Sequence, residues 1–421
     1  MEDRLYFHST RITNGIKVHL KDYGVPFVLV HLIVPLGSAH NNGTTIPFGS
    51  VHFLEHIVCG QSMLFPKHNE FAEKIAKLGG YFNAYTDANT THYILEIRNQ
   101  FFEELFPLFV SHVLSPLITE EQILKERGII LNEINQESMY FPARNKYGHY
   151  FRTEWKNDVV LPLRNTLGSK EDLELLMPDS LMELHKRYYS KDMTVIVGGD
   201  FNHDVVYATL EKISTQNFPE LKKTFSPISW KNKDYHTVAC NESNEYIYHL
   251  GGIIPSTSVE DLPGLRLLGR LLTDSNQGIL YKWLRKELGW SYSIHFDVGY
   301  EKLSSVFDWT LELSCNGIHE VESIRANLRQ KIESLFTEET YIQEFVETML
   351  HQRCFDFQTI GSVIGHAINS LKYWGIIFTE EEVTKKLHQY TTVDALKNMY
   401  AKYFADDFVG EFLAIPETIK V

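Results

Sequence analysis

Some segments of the chain have the hydrophobic period of a β-strand and others that of an α-helix. The order of these segments predicts the elements of the fold. Residues 16–34 first alternate and then run apolar, which predicts two strands on either side of Gly24. Residues 81–97 are rich in Thr, Tyr and Ile and follow a Gly-Gly pair, which predicts a β-hairpin, and a further strand is expected near 192–199. Helical spacing of apolar residues predicts helices over 49–62, 69–78, 101–114 and 119–138.

The same order of elements returns in the second half of the chain. Proline and lysine become frequent between about 215 and 235, which indicates a linker. After it, the pattern predicts a strand at 246–254, a helix at 261–288, a hairpin at 290–314 and then helices. We therefore predict an α+β fold of two similar domains related by duplication, 1–220 and 221–421, each a mostly antiparallel sheet covered by helices.

Composition narrows the classes of function. Among 421 residues there are 40 Lys and Arg against 54 Asp and Glu, a net charge of −14, which argues against a nucleic-acid-binding surface. The longest apolar stretch, residues 25–36, is shorter than the roughly 20 residues of a membrane-spanning helix. The N-terminus is charged and the four cysteines are scattered without a Cys-x-x-Cys pair, so we expect a cytoplasmic protein with no membrane partner.

The most informative stretch lies in the first predicted helix and has the pattern H-x-x-E-H, formed by His52, Glu55 and His56. In a helix these three side chains fall within an arc of about 100°. Two imidazoles one turn apart can chelate one tetrahedral ion, and the carboxylate beside them can reach a water molecule at that ion. Histidines on an apolar helix face are often merely packed, so the motif needs a third ligand to support it.

Two glutamates in a later predicted helix are candidates for that ligand. Glu126 and Glu133 are seven residues apart, so they lie on one helix face and about 10 Å apart along the axis. That spacing prevents both from binding one ion easily. One of them is expected to be the ligand and the other to support the ligands or the substrate.

The motif and the distal glutamates together resemble the pitrilysin/insulin-degrading-enzyme family, the inverzincin zinc peptidases. His56 is followed by Glu133 after 76 intervening residues, as the family pattern requires. The resemblance implies that His52, His56 and Glu133 bind one Zn²⁺ per chain, that Glu55 activates water, and that Glu126 assists from outside the ligand set.

Two further segments extend the resemblance beyond the metal motif. Residues 80–86 are similar to the family's edge strand beside the zinc, which implies substrate binding at Asn83, Ala84 and Tyr85. Residues 284–292 are similar to a segment of the family's C-terminal domain that reaches the substrate, and Arg285 and Tyr292 match its arginine and tyrosine. Such a pair can hold a substrate carbonyl or its developing oxyanion.

The chain length points to the short two-domain subfamily that includes mitochondrial processing peptidase. That resemblance implies a zinc endopeptidase cutting peptides or unstructured segments inside a dimeric chamber. A homodimer and a heterodimer with a related chain both remain open, and the second corresponds to an active subunit dedicated to one peptide, such as a leader peptide or natural-product precursor. A non-catalytic scaffold, as in respiratory-complex core subunits, is disfavoured because all five motif positions are intact.

Overall fold

The computed structural model describes residues 4–43, 45–140, 166–190, 192–215, 236–241, 245–255, 258–301, 306–404 and 409–416. The described residues form two compact units. The first lies within Met1–Gln136, Leu161–Phe225 and Gln358–Lys372, and the second within Glu137–Val160, Ser226–Phe357 and Tyr373–Val421. The predicted domain boundary near 220 stays a prediction, because most of the predicted linker lies outside the described residues.

The first unit contains a six-stranded sheet in which one end strand is the predicted edge strand. Its strands are β1 (His8–Arg11), β2 (Lys17–Asp22), β3 (Phe27–Val34), β4 (Tyr81–Thr86), β5 (Thr91–Arg98) and β6 (Thr194–Gly199). They are arranged in the order β1-β2-β6-β3-β5-β4, and β2 and β6 form the parallel pair. The prediction of a mostly antiparallel sheet is confirmed, although the short strand β1 was not foreseen.

Helices cover this sheet, and the one that carries the H-x-x-E-H motif begins at a conformation that requires glycine. The helices are α1 (Ser50–Gly60), α2 (Glu70–Lys77), α3 (Phe102–Leu114), α4 (Glu120–Tyr140), α5 (Lys170–Glu174), α6 (Pro178–Tyr188) and α7 (His203–Leu210). Gly49, before α1, has φ of 81°, and a Cβ there would lie 2.4 Å from the carbonyl oxygen of Leu167. Phe53 and Leu54 of α1 are fully buried in the core, so α1 is anchored to the sheet through its apolar side.

A segment from late in the chain, Gln358–Lys372, also belongs to the first unit. Gly198 of β6 faces this segment so closely that a Cβ would lie 2.6 Å from the side chain of Ile360. Nζ of Lys372 donates to Oδ2 of Asp87, 2.8 Å away, in the turn between β4 and β5. Only about a quarter of each side chain is exposed, so this ion pair fixes the turn after the edge strand.

The second unit repeats the strand order of the first. Its strands are β7 (His236–Asn241), β8 (Tyr246–Pro255), β9 (Ile294–Glu301), β10 (Val306–Cys315) and β11 (Val409–Pro416). The order β7-β11-β8-β10-β9 matches β2-β6-β3-β5-β4 strand for strand, and in each sheet the first of these pairs is parallel. This correspondence supports the duplication that the order of elements in the sequence predicts.

One predicted helix of the second half is wrong. Residues 261–288 form two helices, of which the second is π-helical. A turn separates them, in which Oδ1 of Asp274 accepts from the backbone N–H groups of Asn276 and Gln277. A Cβ at Gly278 would lie 2.5 Å from the nitrogen of Asp274, so the sharp turn depends on glycine. The helices of this half of the chain are α8 (Leu262–Thr273), α9 (Tyr281–Glu287), α10 (Ile318–Ser334), α11 (Glu339–Asp356), α12 (Ile360–Trp374), α13 (Glu380–His388) and α14 (Val393–Tyr403). Of these, α12 lies almost wholly in the first unit. Among the described helices, none combines the length and apolar character needed to cross a membrane.

Candidate metal centre

The structure brings His52 and His56 of α1 together with Glu133 of α4. Oε2 of Glu133 lies 3.9 Å from Nε2 of His52 and 3.6 Å from Nε2 of His56. One donor atom from each of the three residues lies within 4.8 Å of the others, and the two imidazole centroids are 4.7 Å apart. Within the described part of the chain, this is the one group of three or more His, Cys, Asp or Glu residues that is placed to hold a metal ion.

The donor set fits zinc. Two imidazoles and a carboxylate are the protein ligands of a common type of catalytic zinc site, which leaves one position open for water or substrate. Donor atoms around a tetrahedral zinc ion are about 3.3 Å apart, close to the separations between Glu133 and the two histidines. Burial, and then the neighbouring His56, lower the pKa of His52 to about 3, so its imidazole is neutral, as a ligand must be.

Glu55 lies on the same helix but is held in another way. Its side chain is buried, and Oγ1 of Thr86, at the end of β4, donates to its Oε2 at 2.6 Å. Burial raises the pKa of the Glu55 carboxyl above its ordinary value, although the hydrogen bond from Thr86 opposes that rise. The carboxylate therefore adjoins the histidines while Thr86 fixes its orientation.

Glu126 lies two turns of α4 before Glu133, and it contacts His56. It is 2% exposed, and its Oε2 is 3.3 Å from Nδ1 of His56, within hydrogen-bond reach. Burial alone would lower the pKa of His56, but the hydrogen bond with Glu126 and the charges of Glu133 and Glu55 outweigh it and raise that pKa. A carboxylate bound to one ring nitrogen directs the other towards a metal, which is the arrangement expected of a supporting residue.

The predicted substrate-binding residues lie on the edge strand β4. Among the described strands β4 pairs with β5 only, which leaves its other edge without a partner strand. Side chains of Asn83 and Tyr85 are exposed, and that of Ala84 points to the opposite face and is half-buried. The ring of Tyr85 stacks on His92 with centroids 4.4 Å apart, so its orientation is fixed.

Arg285 and Tyr292 form a contact pair within the second unit. Nη1 of Arg285 donates to the backbone oxygen of Tyr292 at 2.8 Å, and its guanidinium carbon lies 4.3 Å from the centre of the Tyr292 ring. The Tyr292 side chain is 77% exposed. A cation and a phenol are therefore presented together, as their spacing in the sequence suggests.

Sequence reasoning missed two residues that adjoin this centre. Thr86 belongs to the segment assigned to the edge strand, but nothing in its spacing indicated a bond to Glu55. His68 belongs to none of the motifs, yet its Nδ1 lies 3.5 Å from Oε1 of Glu126. A histidine in the loop that follows the H-x-x-E-H helix is a signal that could have drawn attention to it.

Replacing Glu133 tests the ligand set directly. We expect the wild-type protein to bind roughly one zinc ion per chain and Glu133→Ala to lose most of it, because two imidazoles alone form an incomplete site. The measurement is metal content after dialysis. Glu121→Ala, at an exposed position of the same helix, is the matched control and should retain full zinc content. Full zinc content in Glu133→Ala would remove Glu133 from the ligand set.

Comparison with known proteins extends the resemblance over most of the chain. Residues 17–153 match the model of the Insulinase (Peptidase family M16) domain, and residues 176–370 match that of the Peptidase M16 inactive domain. An uncharacterized zinc protease from Rickettsia felis is 25% identical over 300 residues, which cover 68% of this chain and 69% of that protein. Human nardilysin is 24% identical over 314 residues, covering 68% of this chain and 26% of nardilysin.

Solved structures show the same fold. A protease from Helicobacter pylori superposes with a TM-score of 0.79 at 18% identity, covering 98% of this chain and 99% of the other. The periplasmic protease PqqL from Escherichia coli gives a TM-score of 0.75 at 12% identity, covering 99% of this chain and 46% of PqqL. The two family models match successive parts of the chain, and the fold consists of two units. The chain therefore belongs to the insulinase, or M16, family of peptidases in its short two-domain form.

Proposed function

We propose that this chain is a zinc endopeptidase that hydrolyses peptides or unstructured segments. The observation that carries the proposal is the approach of His52, His56 and Glu133 to within 4.8 Å, with the buried carboxylate of Glu55 on the same helix. In this proposal the three residues hold one Zn²⁺ per chain. Relatives named as zinc proteases support the choice of metal.

The chemistry follows from the positions of the chain's own groups. When bound, zinc supplies a Lewis acid that acidifies water and polarises a peptide carbonyl. Glu55 accepts a proton from the attacking water and passes it to the leaving amine. Thr86 holds one carboxylate oxygen of Glu55, so the other remains for the proton.

The edge strand β4 is proposed to bind the substrate in extended form. An extended peptide can pair its backbone with an edge strand, which gives affinity with little dependence on sequence. Asn83, Ala84 and Tyr85 would then lie along the bound segment, and the fixed ring of Tyr85 would contact a substrate side chain. Folded proteins present few extended segments, so unstructured peptides are the expected substrates.

Arg285 and Tyr292 are proposed to stabilise the oxyanion that develops on the substrate carbonyl. Their contact keeps a guanidinium and a phenol together at an exposed position. Donors fixed before reaction stabilise developing charge without having to reorganise.

We propose further that the chain works as a homodimer that encloses a chamber. One chain carries both the metal-binding residues and the Arg285/Tyr292 pair, so two identical chains would suffice. The alternative is an active subunit of a heterodimer dedicated to one peptide. A non-catalytic scaffold is less favoured, because such a chain has no use for two buried carboxylates beside paired histidines.

Glu55→Gln separates catalysis from metal binding. The variant should retain zinc and lose about 10²- to 10⁴-fold in kcat, because glutamine can still accept the Thr86 hydrogen bond but cannot accept a proton. The assay is digestion of a peptide library with and without a chelator, with zinc added back. Glu96→Gln, at an exposed position of β5, is the control and should behave as wild type. Chelator-resistant cleavage, or full activity of Glu55→Gln, would contradict the mechanism.

Tyr292→Phe tests whether the second unit contributes a hydroxyl group to catalysis. The phenylalanine ring keeps the contact with Arg285 and removes only the hydroxyl. We expect kcat to fall about 10²-fold with KM nearly constant, since the hydroxyl acts on the developing oxyanion. Zinc content measured in parallel should be unchanged. An unaltered kcat would exclude the hydroxyl from the reaction.

The mass of the protein in solution tests whether two chains pair as a dimer. Light scattering on the active, purified protein should give twice the chain mass of 48.8 kDa. A monomer that digests peptides would contradict the proposed chamber. A monomer that is inactive until a related chain is added would favour the heterodimer.

A further inference from the structure

We propose that His68 is a positioning residue of the metal centre, which holds the Glu126 carboxylate while that carboxylate holds His56. The role of the metal rests on the proposed function, but the contacts do not. Glu126 lies between the two imidazoles, with Oε2 at 3.3 Å from Nδ1 of His56 and Oε1 at 3.5 Å from Nδ1 of His68. Each carboxylate oxygen thus faces a different histidine.

The two atoms that face each other, Oε1 of Glu126 and Nδ1 of His68, are both buried. Neither has a hydrogen-bond partner among the described residues. Leaving a buried donor or acceptor unsatisfied costs about 1–3 kcal/mol, and more for a charged group. With its hydrogen on Nδ1, His68 satisfies both atoms through one contact that needs only slight shortening.

The backbone between α1 and α2 brings His68 to this position. Asn69 adopts a left-handed conformation with φ of 60°, and its N–H donates to the carbonyl oxygen of Gly60 at 2.9 Å. The loop therefore returns to the end of α1, immediately beside His68. Gly60 also makes room there, because a Cβ would lie 3.3 Å from Nδ1 of His68 and 3.5 Å from Oε1 of Glu126.

Helix α4 is fixed to α1 independently of His68. Nε2 of Gln122 donates to the carbonyl oxygen of Ile57 at 2.9 Å, one turn before Glu126. That bond restrains the backbone position of Glu126 but leaves rotation of its carboxylate free. His68 restrains that rotation, so the oxygen facing His56 stays in place.

The expected effect is moderate, because water can partly replace His68. His68 lines a cavity of about 640 Å³ that is also bordered by Lys67 and Glu70. Removing the imidazole would open a path from this cavity to Glu126. A water molecule there can donate to Oε1, although with less restraint on its position.

The test compares His68→Ala with His68→Asn. The asparagine amide can donate from nearly the place of Nδ1, whereas alanine cannot donate. We expect zinc affinity, measured by competition with a chromophoric chelator, to fall about 3- to 10-fold in His68→Ala and to stay within about twofold of wild type in His68→Asn. In peptide assays at saturating zinc, kcat should fall in His68→Ala with little change in KM.

His203→Ala is the matched control, because His203 pairs with Asp22 at 2.8 Å in the same unit. It should leave zinc affinity unchanged. Wild-type affinity in His68→Ala, or equal losses in the alanine and asparagine variants, would overturn the proposal. Absence of peptide hydrolysis by the zinc-loaded wild-type chain would instead contradict the proposed function, while the affinity comparison would still decide the role of His68.

Discussion

The burial of two carboxylates, one on α1 and one on α4 beside it, is the constraint on which the candidate centre depends. Glu55 is 6% exposed and Glu126 is 2% exposed. An ionised carboxylate withdrawn from water costs several kcal/mol unless hydrogen bonds and opposite charge compensate it. Thr86 and His56 supply part of that compensation, and Glu133 adds further negative charge nearby. A divalent cation between the histidines and Glu133 would balance this excess, so the charge distribution and the donor geometry favour the same occupant.

The rest of the first unit places the partners that these carboxylates need. The hairpin of β4 and β5 brings Thr86 to Glu55, and the ion pair between Asp87 and Lys372 fixes the next turn. One strand of this hairpin is β4, the edge strand along which a peptide is proposed to bind. Lys372 thus supports a site formed mainly by residues 50–136, in agreement with the grouping of Gln358–Lys372 with the first unit.

Local patterns predicted most elements but not the contacts between distant ones. The strands on either side of Gly24, the hairpin and helices α1 to α4 follow from periods that a single segment reveals. The H-x-x-E-H spacing placed both histidines on one face, and the choice between Glu126 and Glu133 needed the resemblance. Contacts such as Lys372 with Asp87, or His68 with Glu126, join residues far apart in sequence and leave no periodic signal. The break after Thr273 was overlooked although the sequence carries a signal for it, because residues 274–278, Asp-Ser-Asn-Gln-Gly, are all turn-forming or polar. Asp274 and Gly278 impose the turn between two apolar segments.

The two units show that one strand order can support different interiors. In the first, α1 contacts the edge strand β4, and the polar contact of Glu55 with Thr86 lies between them. In the second, α8 contacts the corresponding strand β9, and a Cβ at Gly269 would lie 2.1 Å from the ring of Phe296. That approach is apolar and closely packed, and leucines occupy the buried side of α8. The match of residues 176–370 to a domain described as inactive agrees with this packing. A helix at the same place in the fold therefore carries candidate metal ligands in one unit and closes the core in the other, because of these two helices only α1 presents histidine and glutamate beside its edge strand.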